Sequence, residues 1–425
     1  MEPLFLGLCD NPVGPITSCF FGDRLFNRRL FAWALVAAVV FSFSAVAQSP
    51  YLVTDLNTGT SSPRNSNRVG YEGCSDKVYF FASTLDSGRE LWTYDGSTVS
   101  MLKEIYPGSS SGFLSTDRLT DIGGGVLLFR AYDPQGAGIW RTDGTTAGTT
   151  KVKSLGFASG NYSAAGPRAM LNGRMFFMAD DGVHGQELWS SDGTEAGTQF
   201  LVDLDGTAAA SNVTMMTVLN GQLLIFGNGA LWTSDGTAAA TSQIATVGDA
   251  QGLARIGSTV YFTATGAGGS GRELWKSDGT SAGTQMVADI APGAGDGANQ
   301  FFLTPVGSTL YFIAAADSIG ADLWKTDGTA AGTLFVKTLT NSAGVMTPAG
   351  GVTPGGLLYI AVNGALWVSN GTDAGTVEME ASGLGSSGRV ATAFGLIYYL
   401  REFGETQLWS TDGLTKSVVK TWPIA

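Results

Sequence analysis

Tryptophan and an acidic or amide residue recur together along this chain at a fixed offset. A Leu-Trp or Ile-Trp pair occurs at Trp92, Trp140, Trp189, Trp232, Trp275, Trp324, Trp367 and Trp409. Three residues after each stand Asp95, Asp143, Asp192, Asp235, Asp278, Asp327, Asn370 and Asp412, always followed by glycine. Two chemistries suit such a set. Exposed indoles could stack on sugar faces, and a set of carboxylates could bind calcium, which takes about six to eight oxygens. The local pattern argues for architecture instead. Adjacent strand residues point to opposite faces, so a Leu-Trp pair between stacked sheets has core to fill on both sides. Asp-Gly is turn chemistry, the carboxylate accepting nearby backbone N–H groups while glycine takes a positive φ. Asn370 in one copy keeps that turn and weakens a metal site. The residue before the Leu/Ile-Trp pair drifts through Glu90, Gly138, Glu187, Ala230, Glu273, Asp322, Ala365 and Gln407. Such drift predicts solvated strand ends rather than a ring of catalytic acids. His184 is the single histidine, with Asp180 and Asp181 close in sequence. General acid–base chemistry would want it beside a nucleophile, yet there is no Gly-x-Ser-x-Gly stretch, metal-spaced Cys/His cluster or phosphate-binding loop. No catalytic residue, cofactor or metal is therefore assigned.

The elements that carry these residues follow from the repeat itself. The eight copies lie 42 to 49 residues apart, and a period of ~40–50 points to a propeller or related array. Residues 301–339 read as four short strands, "FFLTPV", "TLYFIAA", "ADLWKT" and "TLFVKTL", separated by Gly or Asp-Gly turns. Runs such as "VYFFA" (78–82) and "MFFMA" (175–179) are apolar at nearly every position, as in strands buried on both faces. The expectation is an all-β fold, a β-propeller of eight blades with four antiparallel strands each. Composition agrees: 60 glycines among 425 residues is about twice the usual share, and 14% charged residues is well below the usual ~25%. The fourth-strand pattern occurs nine times, because "YLVTDL" (51–56) precedes the first unit and "SVVKTW" (417–422) ends the last. One of these two completes the final blade, and the pattern alone leaves open which.

Residues 1–47 read as an export signal. Arg24, Arg28 and Arg29 precede an apolar run (30–47) that ends in the small residues "AVA", placing cleavage before Gln48. The rival reading is a membrane-anchored start, since the run is just long enough to span. "NRRLF" (27–31) resembles a twin-arginine export motif, although the apolar run suits ordinary secretion better. Residues 48–425 are then one domain, exported to the periplasm or beyond. Three basic residues and three acidic ones (Glu2, Asp10, Asp23) leave with the signal, so the net charge stays at −12. That acidity argues against nucleic acid or an anionic membrane as partner. Only Cys74 remains of three cysteines, and a lone cysteine makes no internal disulfide.

"GQELWSSDGTEAGTQFLVDL" (185–204) and "GRELWKSDGTSAGTQMVADI" (271–290) are the fullest copies. They resemble the ELWxxDGT repeat found in tandem in exported bacterial proteins, and "HGQELW" (184–189) resembles that family's "HG.ELW" form. The likeness covers nearly all of residues 51–422. It implies an exported, repeat-built, propeller-like protein and supplies no established reaction.

Strand parity locates a candidate partner surface. In a four-stranded antiparallel blade the turns after the first and third strands share one face, here the uniform "DGT.AGT" loops. The remaining connections share the opposite face, and they vary: "STLDSGR" (83–89), "DDGVHGQ" (180–186), "GN" (227–228) and "APGAGDGANQ" (291–300). Function concentrates where loops vary on a rigid scaffold, so Arg89, Asp180, Asp181, His184 and Arg272 are the candidate contacts. The reading is a monomeric, non-catalytic scaffold that binds a protein or surface glycan. A carbohydrate-binding propeller and a periplasmic quinoprotein-type enzyme are the alternatives.

Overall fold

A computed structural model of the chain describes residues 71–422, apart from 75–76, 85, 115–116, 158–166, 208, 267–268, 294, 315–319, 341–348, 354, 382–383, 385–389, 394–395, 404 and 414. The predicted signal and the strand-like "YLVTDL" lie outside the described residues. Every regular element among them is a β-strand. The thirty-two strands form eight four-stranded antiparallel sheets, each in simple chain order. The fold is all-β, of the eight-bladed β-propeller class. The blades span residues 71–103, 119–154, 168–202, 215–246, 248–288, 298–340, 349–380 and 390–422. The last ends on Lys416–Trp422, which pairs with Glu405–Thr411. The C-terminal copy therefore completes the final blade. Where the repeat pattern predicts one domain, contacts group the described blades into two compact units, residues 71–228 with 232–242 and residues 229–231 with 243–422. No helix among the described residues is long and apolar enough to cross a membrane.

Each blade buries its middle. In the third, the second strand Arg174–Asp180 hides Met175 to Ala179 without a break. Its hairpin turns at Asn172-Gly173, with φ of 51° and 71°, the positive pair that an Asn-Gly turn supplies. The Leu-Trp pair sits in the third strand and divides its side chains between neighbours. Leu188 joins residues of the following blade, among them Val218 and Ile225. Trp189 packs with Leu128, Ile139 and Val152 of the preceding blade. The same division holds in the other unit, where Leu323 faces Leu358 and Ile360 and Trp324 packs against the cluster of Tyr261 and Leu274.

The fourth strand bulges opposite each of these pairs whose register is described. Leu91 pairs with Lys103 and Trp92 with Met101, leaving Leu102 as the extra residue. Val152, Val287 and Val336 are the corresponding extras in other blades. All four are buried. In these four blades the bulge adds one apolar side chain to the core beside the Leu/Ile-Trp pair. Leu201 and Met379 are half-buried at the same place, and Val419 in the last blade is exposed.

Candidate functional site

The Asp-Gly loops form one face of each blade. In the second, Asp143 Oδ1 accepts the Thr145 amide (2.9 Å) and hydroxyl (2.7 Å), while Gly148 donates to Thr145 Oγ1 (2.9 Å). The third, fifth, sixth and seventh blades repeat this network around Asp192, Asp278, Asp327 and Asn370. Asp235 makes the same pair of bonds to Thr237, Asp95 takes Ser97 and Thr98, and Asp412 takes Thr415. The Thr145 hydroxyl and amide hold the Asp143 carboxyl below its ordinary range. The Thr98 and Ser97 amides lower Asp95 to about 2. One oxygen of each of these side chains is thus committed to its own loop.

The loops also dock. Lys276 Nζ donates to Gly328 O of the next blade (2.7 Å), and Lys325 Nζ to Gly371 O (2.9 Å). In the first unit Lys103 Nζ donates to Thr149 O (2.8 Å) and Lys153 Nζ to Thr198 O (3.0 Å). The repeat motif therefore carries the blade-to-blade ties.

The tryptophans are packed rather than displayed. Trp92, Trp140 and Trp189 are buried, and the other five are half-buried. The indole N–H groups of Trp140, Trp232, Trp275, Trp324 and Trp367 are sealed from solvent with no acceptor, so they are closed to sugar hydroxyls.

The opposite face is built from the loops after the second strand and the blade-to-blade connections, joined by backbone bonds. Gly88 N donates to Gly108 O (3.0 Å), Ser211 N to Gln186 O (3.1 Å) and Gly271 N to Gly293 O (2.9 Å). Loop variation is plain here. The fourth and seventh blades close with two-residue turns, Asn228-Gly229 and Asn363-Gly364, whereas the third blade extends a loop over 181–185.

The residue preceding Leu-Trp corrects one expectation. Glu90, Glu187 and Glu273 are fully buried, not solvated strand ends. Glu90 accepts the amides of Ile105 (2.6 Å), Tyr106 (3.2 Å) and Gly112 (3.2 Å). Glu273 accepts those of Ile290 (2.9 Å) and Ala291 (3.2 Å). Two blades lacking the glutamate send the equivalent amide to a backbone carbonyl, Leu155 N to Ala137 O and Val247 N to Gly229 O. In the seventh blade Leu384 N reaches Gly364 O from four residues beyond the partner of Leu366. The drift between copies thus separates two ways of satisfying one amide. Burial raises the carboxyl pKa of all three glutamates against the opposing pull of these hydrogen bonds. Ionisation therefore costs the folded state, and the stability tied to the neutral form is lost as pH rises through the raised value. Wild type should gain melting temperature relative to Glu90→Gln as pH is lowered from about 7 to about 5. A difference that shrinks over that range would contradict the assignment.

The candidate contacts fall into separate places. Asp180, Asp181 and His184 come together in the third blade. Asp181 Oδ1 accepts the amides of Val183 (2.9 Å) and His184 (3.0 Å), and Oδ2 lies 2.9 Å from His184 Nδ1. Slight burial pushes the Asp181 carboxyl up, but these His184 and Val183 bonds outweigh it and hold it at about 2. The imidazole stacks on Phe200, with ring centroids 4.5 Å apart, and Val183 is 69% exposed. Asp180 pairs its backbone with Gly156 of the preceding connection. Arg272 is a correction. It is buried, donates to Asp249 O (2.5 Å) and pairs with the Asp249 carboxylate, so it is structural and offers no contact surface. Arg89, at the equivalent position, is half-buried, and burial lowers its guanidinium pKa against the opposing effect of Asp117. Sequence reasoning overlooked a further cluster below the His184 loop, where one carboxylate oxygen each from Glu187, Asp203 and Asp205 lie within 4.8 Å of one another. "VDLDGT" (202–207), with acids two apart before a glycine, was the available signal.

No protein-family model matches the chain, and no curated protein matches it in sequence. Among solved structures it is similar to the computationally designed Ika8 protein, at 13% identity and TM-score 0.40, over 87% of this chain and 99% of that one. It is similar also to a puromycin hydrolase, at 14% identity and TM-score 0.31, over 72% of this chain and 59% of the hydrolase. TolB from Acinetobacter baumannii shares 11% identity at TM-score 0.31, over 63% of this chain and 65% of TolB. The chain spans less than two thirds of the hydrolase and of TolB, and at these scores its fold rests on the eight sheets themselves.

Proposed function

We propose that this chain is a non-catalytic exported scaffold that binds a protein or a surface glycan through the face carrying the loop 180–186. The asymmetry of the two faces supports this reading. One face repeats a single loop that commits one oxygen of each carboxylate to its own turn and gives carbonyls to blade ties. The other varies from blade to blade and offers Asp181, Val183 and His184 to solvent on a loop fixed by its own hydrogen bonds. A rigid scaffold with variable loops is a common arrangement for recognition. Export to the periplasm or beyond rests on the basic and apolar leader pattern and on the ELWxxDGT resemblance, and a monomeric state goes with it. Neither nucleic acid nor membrane suits the charge of −12.

The test compares two variants of the chain from Gln48 on glycan arrays and on bacterial envelope fractions. A triple change, Asp181→Ala, Val183→Ser and His184→Ala, should weaken binding at least about tenfold. Glu195→Ala, exposed in a "DGT.AGT" loop, should leave it unchanged. Equal binding by both variants, or loss only with Glu195→Ala, would overturn the proposal.

A further inference from the structure

The three buried glutamates serve as controls for one another. In the first blade Glu90 places both carboxylate oxygens against backbone amides, Oε2 on Ile105 and Oε1 on Tyr106 and Gly112. In the fifth, Glu273 uses Oε2 on Ile290 and Oε1 on Ala291. The third blade departs from this. Glu187 Oε2 accepts Leu204 N (3.0 Å) and the Ser211 hydroxyl. Oε1 is sealed from solvent with no partner. The amide that would have served it belongs to Asp205, at the place of Tyr106 and Ala291. That amide turns instead to Asp203 Oδ1 (3.0 Å), as does Gly206 N (2.6 Å).

A buried carboxylate oxygen without a donor is costly. Here two more carboxylates converge on that of Glu187, one oxygen from each of the three lying within 4.8 Å of the others, which adds repulsion unless positive charge lies between them. Asp203 and Asp205 each commit one oxygen to loop amides, Oδ1 in both cases, which leaves Oδ2 of each for another ligand. All donors are hard oxygens, without nitrogen or sulfur. That selects an alkaline-earth ion, and the irregular loop suits calcium, which tolerates variable geometry, better than magnesium.

We propose that Glu187, Asp203 and Asp205 form a calcium site beneath the variable face of the third blade. The bound ion takes the place of the amide that the other two blades supply. It ties the connection from Asp203 to Ser211 to the third strand and, through the bond from Ser211 N to Gln186 O, steadies the end of the His184 loop.

The experiment uses the chain from Gln48, stripped with EDTA, titrated with calcium chloride by calorimetry and followed by thermal melting. Wild type should bind one calcium per chain and melt about 2–4 °C higher at about 5 mM calcium. Asp205→Ala should lose both responses, with affinity down at least about tenfold. Asp278→Asn, outside the cluster, should keep them. Asp203→Asn provides the same reading should Asp205→Ala fold poorly. Absence of a calcium response in wild type, as would follow if a proton shared among the carboxyls satisfied Oε1, overturns the proposal. So does a response retained in both cluster variants.

Discussion

Replacing Glu90 by alanine should destabilise the chain by about 3 kcal/mol, a large effect for a residue that sequence variation alone marks as dispensable. The carboxylate is fully buried and receives three amides. Gly112 N retains the Arg89 carbonyl at 3.0 Å, so two donors, those of Ile105 and Tyr106, are stranded. Each unsatisfied buried donor costs about 1–3 kcal/mol. Glu90→Gln keeps an acceptor oxygen and removes a charge that burial disfavours, so its cost should be about 1 kcal/mol. Denaturant midpoints of the two variants measure the difference. Equal losses for both would show that the carboxylate charge, and not an acceptor of that size, holds the site, and no loss for alanine would show that water serves the two amides.

Gly328→Ala should cost a similar amount, about 3 kcal/mol, from two sources. Gly328 has φ +91°, where a Cβ is strained, and a Cβ built there overlaps the Tyr261 hydroxyl of the preceding blade. Backbone strain contributes about 1–2 kcal/mol and forced repacking about 1–3. Gly307 separates these two contributions. It also has a positive φ, +61°, yet a Cβ there meets nothing within 4 Å, so Gly307→Ala should lose only about 1 kcal/mol. Similar losses at both positions would mean that the Asp-Gly turn is not the contact point between blades.

The architecture was legible because it is written eight times. Trp and Asp-Gly recur at one offset, and strand periodicity between them follows from the burial of both faces of the middle strands. The division of Leu188 and Trp189 between opposite neighbours is the alternation any strand imposes. The bulge opposite each Leu-Trp pair was not legible, since one extra apolar residue in a short strand leaves no mark on periodicity.

The glutamates show a different limit. Comparison of copies treats variation as freedom, whereas Gly138 and Ala230 stand in the place of Glu90 where the next connection gives its amide to a backbone carbonyl instead. A residue and its substitute then lie in different parts of the chain, and a single column of the repeat cannot show the exchange. Arg272 failed for a related reason. Its loop position suggests exposure, but Asp249, twenty-three residues earlier, turns its carbonyl and carboxylate toward the guanidinium. Asp181 and His184 share one loop, with Asp180 ending the strand before it, a nearness that their adjacency in sequence already carries.

The central claim is that the repeated tryptophans and Asp-Gly turns hold the blades together, leaving recognition to the opposite face. Tryptophan emission tests it most directly, using the chain from Gln48 with Trp422→Phe so that only the eight repeat indoles report. The account predicts blue-shifted emission, weakly quenched by acrylamide and unchanged by a panel of glycans. Red-shifted emission that acrylamide quenches readily, and that a sugar alters, would contradict it and make the indoles a binding ring.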